Sequence, residues 1–386
     1  MNINTDTSNA INKISAELDK NTLTKALSDV INTIDRNILK FKDGFPAACS
    51  KNLVYPITDN RGWTTAFWTG MLHLAYYTTE DLKYSKEASK HVQSFYKRYV
   101  DKYDFDTHGL GFLYSLSCVS AYKLTGDEFA ANLAVNAADE LIKRFKEKGQ
   151  FIQAWGSIDD PTAYRLIIDC MMNLPLLYWC SEYTGDRKYY DIAYAHAKTS
   201  MDVIIREDNS TFHTFYFDPV TGEKVKGVTA QGYSDDSCWS RGQAWAVYGS
   251  ALSYRYTKDK RFMEYNKRVC EYFLNHLPDD LVPYWDLIFT DGNEERDSSA
   301  GAILACGLYE SAEYIDDENL RKLYIDTAKA IVNSLTKYYL ADNSQNLDGI
   351  LLHSVYSKLG NNGVDEFCIW GDYYYMEALL RTLNFS

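Results

Sequence analysis

Tyr183-Thr-Gly-Asp-Arg-Lys-Tyr189 decides how this chain is read. A helix that reaches Tyr183 stops at the Thr-Gly step, because glycine adopts the left-handed conformation that ends helices. Asp186 then caps the next helix by accepting from its free N–H groups, and an aromatic follows to anchor it. The same corner recurs as Tyr122-Lys-Leu-Thr-Gly-Asp-Glu-Phe129 and as Tyr256-Thr-Lys-Asp-Lys-Arg-Phe262. Looser copies stand at Tyr77-Thr-Thr-Glu-Asp-Leu-Lys-Tyr84 and Tyr314-Ile-Asp-Asp-Glu-Asn-Leu320. Counted from their first tyrosines, the five corners lie 45 to 73 residues apart. Each stands between runs with apolar residues at helical spacing, such as positions 166, 167, 170, 174 and 177. Repeated corners of this kind mean stacked α-hairpins, which form either an open solenoid or a closed toroid. The spacing suits a closed double ring of about six hairpins, so we expect an all-α fold. Residues 209–228 alternate like a β-hairpin, with Asp-Pro and Thr-Gly as turn signals.

The chain has 386 residues, 53 Asp+Glu against 40 Lys+Arg, and a formal net charge of −13. At 46% hydrophobic residues it has enough apolar surface to fold. The acidity argues against a nucleic-acid partner, which needs Lys and Arg to neutralise phosphates. With 7 prolines and no Gly-rich linker, a single domain over 1–386 is expected. The polar start, Met1-Asn-Ile-Asn-Thr-Asp, lacks a signal-peptide pattern. No apolar run reaches transmembrane length. Eight cysteines without a CxxC read as buried free thiols. These features predict a cytoplasmic protein with no membrane partner, as a monomer or weak homo-oligomer. No HExxH, GxSxG, P-loop or GxGxxG occurs, so no metal or cofactor is expected.

The inter-helix loops mix aromatic and polar residues. They include Asp59-Asn-Arg-Gly-Trp63, Asp106-Thr-His-Gly-Leu-Gly-Phe112, Gln153-Ala-Trp-Gly156 and Gln231-Gly-Tyr-Ser-Asp-Asp-Ser-Cys-Trp-Ser-Arg-Gly-Gln-Ala-Trp245. This is a carbohydrate-site composition. Aromatic faces pack on the C–H face of a sugar, and planar polar groups take its hydroxyls. Each tryptophan alone would equally fill a gap between helix ends. Asp169 interrupts an apolar stripe, where a carboxylate is costly unless it is paired or does chemistry; Arg165 is a candidate structural partner. His108 and His213 are loop histidines. The acidic pairs Asp159-Asp160 and Asp235-Asp236 serve as well for helix caps as for a two-carboxylate site.

In this order and register, these motifs resemble the unsaturated glucuronyl hydrolases, glycoside hydrolase family 88. So do Arg165-Leu-Ile-Ile-Asp-Cys-Met-Met-Asn-Leu-Pro-Leu-Leu-Tyr-Trp179 and Trp370-Gly-Asp-Tyr-Tyr-Tyr-Met-Glu-Ala-Leu379. The likeness runs from about residue 40 to the end. It implies an (α/α)6 barrel. It also implies hydration of the C4=C5 bond of a Δ4,5-unsaturated uronic acid at the non-reducing end of glycosaminoglycan fragments left by lyases, from chondroitin or hyaluronan. Because the anomeric carbon is not attacked, one carboxyl can act as acid and then base. That residue matches Asp169. His213, Gln231, Trp239 and Arg241 match active-site residues, with Arg241 as the cation for the uronate carboxylate. Trp63, His108, Trp155 and Trp245 match the pocket lining.

Two positions depart from the family. Where it reads His-Asp-Leu-Gly-Phe, this chain has His108-Gly109-Leu110-Gly111-Phe112, so a second carboxylate is missing. Reduced activity follows unless Asp106, in the same loop, compensates. Ser354, Ser357 and Lys358 resemble a loop that contacts sulfate in some members, with imperfect spacing. The resemblance leaves two other readings, an unsaturated rhamnogalacturonyl hydrolase acting on pectin fragments and a sugar-binding protein without turnover.

Overall fold

A computed structural model of the chain describes residues 1–345 and 347–385. The corners form as the sequence indicates. Helix α3 (Thr65–Thr79) turns into α4 (Leu82–Val100), with Glu80 left-handed at φ 57° and the Asp81 carboxylate accepting from Lys83 N–H at 2.9 Å. Helices α5 (Leu110–Tyr114) and α6 (Ser120–Thr125) are joined by a π-helical turn and lead through Gly126 into α7 (Glu128–Leu141). Helix α8 (Leu174–Thr184) passes through Gly185 into α9 (Arg187–Ile204), and α10 (Ser240–Thr257) through Lys258 into α11 (Arg261–Asn275). Gly126 and Gly185 have φ of 73° and 75°, where a Cβ would be strained. The fifth corner joins α12 (Ser298–Ala312) to α13 (Glu318–Ser334) without a left-handed residue; Asp317 still caps α13.

Helix α14 (Ile369–Asn384) packs against α12 and α3, which closes the ring. It also packs on α2 (Lys20–Phe41), the outer helix of the sixth pair, while α1 (Thr5–Ala16) packs on α13. This is the (α/α)6 barrel expected from the hairpin count. Inner and outer helices differ as their positions demand. Every residue of α12 is buried, whereas α11 buries a single stripe, Phe262, Asn266, Val269, Cys270, Phe273 and Leu274. All eight cysteines are free, and all but Cys49 are buried.

The two ends of the barrel are unequal. Inner-to-outer turns are the short corners. The outer-to-inner connections are long and hold the strands. These are β1 (Phe45–Pro46) with β2 (Ile57–Thr58), and β3 (Phe145–Lys146) with β4 (Phe151–Ile152). A three-stranded antiparallel sheet joins β5 (Arg165–Ile167), β6 (Thr214–Phe217) and β7 (Lys224–Val228), so the expected hairpin over 209–228 gains a third strand. The last pair is β8 (Ser354–Ser357) with β9 (Asn362–Glu366).

One close approach couples the barrel to its upper end. A Cβ on Gly111 would lie 2.2 Å from the Asn173 carbonyl oxygen and 2.3 Å from its Cα. Here α5 presses on the turn Ile168–Met172 and Asn173, and Phe112 N–H donates to Asn173 Oδ1 at 2.8 Å. The obstacle is backbone and cannot rotate away. We expect Gly111→Ala to destabilise the fold by about 3 kcal/mol, read as a lower midpoint in urea with an unchanged m-value.

Candidate active site

The long connections at one end of the barrel enclose a cavity of ≈ 410 Å³. Its lining comes from five of the six connections: Trp63 before α3, His108 and Gly109 before α5, Trp155 and Asp169 before α8, His213 and Gln231 before α10, and Tyr356 before α14. The position of the site therefore follows from the fold, since only this end has loops long enough to converge on the axis.

Asp169 sits on the turn between β5 and α8, with its side chain 15% exposed. Burial pushes its carboxyl up to about 6, against the pull of the Arg241 charge. The adjacent Ile168 N–H donates to the His213 carbonyl at 3.0 Å, which brings His213 alongside. His213 Nδ1 accepts from the backbone N–H groups of Ala230 (3.0 Å) and Gln231 (3.1 Å). Nδ1 must therefore be unprotonated and Nε2 must carry the hydrogen. Burial, and then Arg241, hold His213 down at about 3, so the ring is neutral. Its Nε2 lies 3.7 Å from Asp169 Oδ2. Both atoms are buried without a hydrogen-bond partner among the described residues. A protonatable carboxyl and a fixed N–H donor thus face the same space, an arrangement that can deliver a proton to a bound molecule.

Aromatic rings form the walls. Trp63 stacks on Trp370 at 5.2 Å, and its Nε1 donates to Tyr356 Oη at 3.2 Å. Gln231 Nε2 donates to the Tyr356 carbonyl at 3.0 Å. His108 lies beside Trp155, at 6.4 Å between ring centres, and its Nδ1 is buried and unpartnered. Buried Arg144 donates to the carbonyls of Gln153 and Gly156 and pairs with Asp106, fixing the two loops that carry Trp155 and His108. Asp106 is thereby turned away from the cavity, so it does not replace a carboxylate at Gly109. A Cβ on Gly109 would meet Trp63 Cβ at 3.1 Å and Thr107 Oγ1 at 3.5 Å, and its φ of −73° suits any residue.

Several expected residues lie elsewhere. Arg241 is buried beneath the floor, with Nη1 on Asp297 Oδ2 (2.9 Å) and on the Val355 carbonyl, and Nη2 on the Tyr356 carbonyl (2.7 Å). Both terminal nitrogens are engaged, and Arg241 does not line the cavity. Trp239 lies behind His213 at 4.2 Å, and Trp245 is enclosed by Phe112 and Tyr374. Ser354 is fully buried against Ser298 Oγ at 2.9 Å, because it faces the opposite side of β8 from Ser357. Lys358 pairs with Glu295. The three do not converge on one anion. Asp160 caps the turn Pro161–Ala163 and Asp235 accepts from Thr229 N–H at 2.8 Å, so one member of each acidic pair is structural. Tyr356 escaped the sequence reading, although it stands inside the quoted Ser354–Lys358 segment. Among the described residues no cluster of His, Cys, Asp or Glu is arranged for a metal ion, and no helix is long and apolar enough to cross a membrane.

The model of Glycosyl Hydrolase Family 88 matches residues 37–386. The chain belongs to that family. It is 48% identical over 366 residues to an unsaturated chondroitin disaccharide hydrolase of Streptococcus pneumoniae, covering 94% of this chain and 92% of the relative. An unsaturated glucuronyl hydrolase of Bacillus sp. GL1 is 43% identical over 361 residues, covering 92% and 96%. The crystal structure of an unsaturated glucuronyl hydrolase from Streptococcus agalactiae superposes with a TM-score of 0.92 at 45% identity, covering 94% and 92%.

Asp169 imposes a pH-dependent penalty on folding. Its folded carboxyl holds a proton up to about pH 6, whereas the unfolded chain releases it near 3.8. The native state therefore binds more protons between these values, and stability falls as pH rises through this window. We expect Asp169→Asn to stabilise the protein by about 2 kcal/mol more at pH 7.5 than at pH 4. Urea unfolding of both proteins at both pH values measures this, and an equal difference at the two would contradict it.

Proposed function

We propose that this family 88 protein is built to hydrate the C4=C5 bond of a Δ4,5-unsaturated uronic acid at the non-reducing end of a glycosaminoglycan disaccharide or short oligosaccharide. The reading rests on one observation above the rest: the Asp169 carboxyl, held protonatable by burial, stands beside the neutral, fixed Nε2–H of His213. The names of the relatives support the substrate class. Asp169 gives its proton to C4 while water adds at C5. The carboxylate then serves as base to the incoming water, so the proton balance closes. The hemiketal formed at C5 opens and the glycosidic bond is released. His213 Nε2–H and Gln231 orient the sugar or the water, and Trp63 and Trp155 pack against sugar rings.

Gly109 makes the chain a weak member of this group. The aspartate that family resemblance places there would face the same cavity as Asp169. We expect Gly109→Asp to raise kcat/KM on an unsaturated chondroitin disaccharide by about a hundredfold or more, followed by loss of the absorbance of the unsaturated uronate. Equal rates would overturn the assignment. The one tight contact, at 3.1 Å to Trp63 Cβ, is met by Trp63 giving way by a few tenths of an ångström.

The restored activity carries a pH signature. The acid must be protonated, so kcat/KM falls tenfold per unit as pH rises past the Asp169 titration. That limb lies above about 6, because a second carboxylate in the same cavity raises Asp169 further. A limb below pH 5 would exclude Asp169 as the acid.

A further inference from the structure

The cavity lacks a free cation on its floor, yet the sheet beside it carries two. Side chains of β5 alternate, so Arg165 shares a face with Ile167, and Ile167 lines the cavity. Arg165 pairs across the ladder with Tyr216, and Tyr216 with Lys226. Directly opposed residues project from the same face. Arg165, Tyr216 and Lys226 therefore form a row running outward from the cavity wall.

The row is charged, and its cations stand outside ion-pair contact, although the Arg165 charge is felt at the Asp160 carboxyl. The Arg165 guanidinium lies over the Trp155 ring at 4.2 Å and over Tyr216 at 5.2 Å. One of its nitrogens, Nη1, bonds Tyr216 Oη, while its Nε is buried without a partner. Among the described residues neither Arg165 nor Lys226 has a carboxylate in ion-pair contact, in contrast to Arg241 with Asp297 and Lys358 with Glu295. Lys226 is exposed. In a chain of net charge −13, two unpaired cations on one face beside a cavity mark a place for a negative group. Trp155, partly exposed at the cavity's edge, carries the Arg165 fork on its ring and extends the sugar-packing surface toward it.

We propose that Arg165 and Lys226 form a subsite for an anionic oxygen group on the sugars beyond the unsaturated uronate. The group is either a sulfate ester on the second sugar or the carboxylate of a third. Arg165 supplies the planar fork and Lys226 the outer point charge. This rests on the function proposed above, since the uronate must sit at Asp169 for the next sugar to reach Trp155.

The test measures calorimetric Kd values for three ligands: an unsulfated unsaturated chondroitin disaccharide, its sulfated counterpart, and an unsulfated tetrasaccharide. The proteins are the unsubstituted chain, Arg165→Met and Lys226→Met. Methionine keeps an apolar stem against Trp155. We expect Arg165→Met to weaken the sulfated disaccharide or the tetrasaccharide about tenfold, and Lys226→Met about threefold, while the unsulfated disaccharide changes by less than about twofold. Loss on the sulfated disaccharide assigns sulfate; loss on the tetrasaccharide alone assigns the third-sugar carboxylate. If all three ligands weaken alike, or none does, the subsite is overturned while the function proposed above stands. If the unsubstituted chain binds none of them, that reading falls and the subsite with it.

Discussion

The ion pair between Arg241 and Asp297 is the contact on which the upper end of the barrel depends. Both side chains are buried, at 1% and 0% exposure, and lie 2.9 Å apart. A buried pair gains little by itself, because desolvation of two charges offsets their attraction. What this pair adds is direction. Arg241 leads off α10, takes the carbonyls of Val355 and Tyr356, and so ties the β8–β9 hairpin to the inner ring. Asp297 also accepts from Ser299 Oγ and Val355 N–H, and Ser299 in turn accepts from Trp370 Nε1. Trp370 supports Trp63. Removing either charge would leave the other buried and unpaired, and the wall carrying Tyr356 and Trp63 would lose its footing.

The same guanidinium sets the electrostatics above it. It opposes the effect of burial on Asp169 and adds to that effect on His213. The result is a carboxyl titrating near 6 next to an imidazole that stays neutral. Two groups whose environments push their proton affinities apart are what acid–base chemistry requires. Arg241 thus bears on proton transfer without touching the cavity.

Sequence reading reached the fold because its evidence is local. Thr-Gly-Asp corners, the caps that follow them and the apolar stripes are all visible within a dozen residues. Asp169 was legible for a related reason: a carboxylate amid Leu166, Ile167, Ile168, Cys170 and Met171 has no cheap explanation. The pairing of Arg241 with Asp297 spans 56 positions, so no local pattern announces it. Strand alternation turns Ser354 from Ser357, and the limits of β8 show only in three dimensions. Arg165 drew notice only as a partner for Asp169, since its alignment with Lys226 depends on the register of three strands joined over some sixty residues.

Gly109 acts on the site twice. Compared with an aspartate, glycine offers the cavity no side chain and places no negative charge near Asp169. With Arg241 beneath and no second carboxylate above, Asp169 titrates at about 6, so only about a tenth of the molecules hold the proton at pH 7. A carboxylate at position 109 would raise that fraction through like-charge repulsion. The backbone at Gly109 is ordinary, with φ of −73°, so the fold does not demand glycine there. The barrel, the walls and His213 keep their places around Gly109, and the Asp169 carboxyl keeps the proton affinity that burial and Arg241 set.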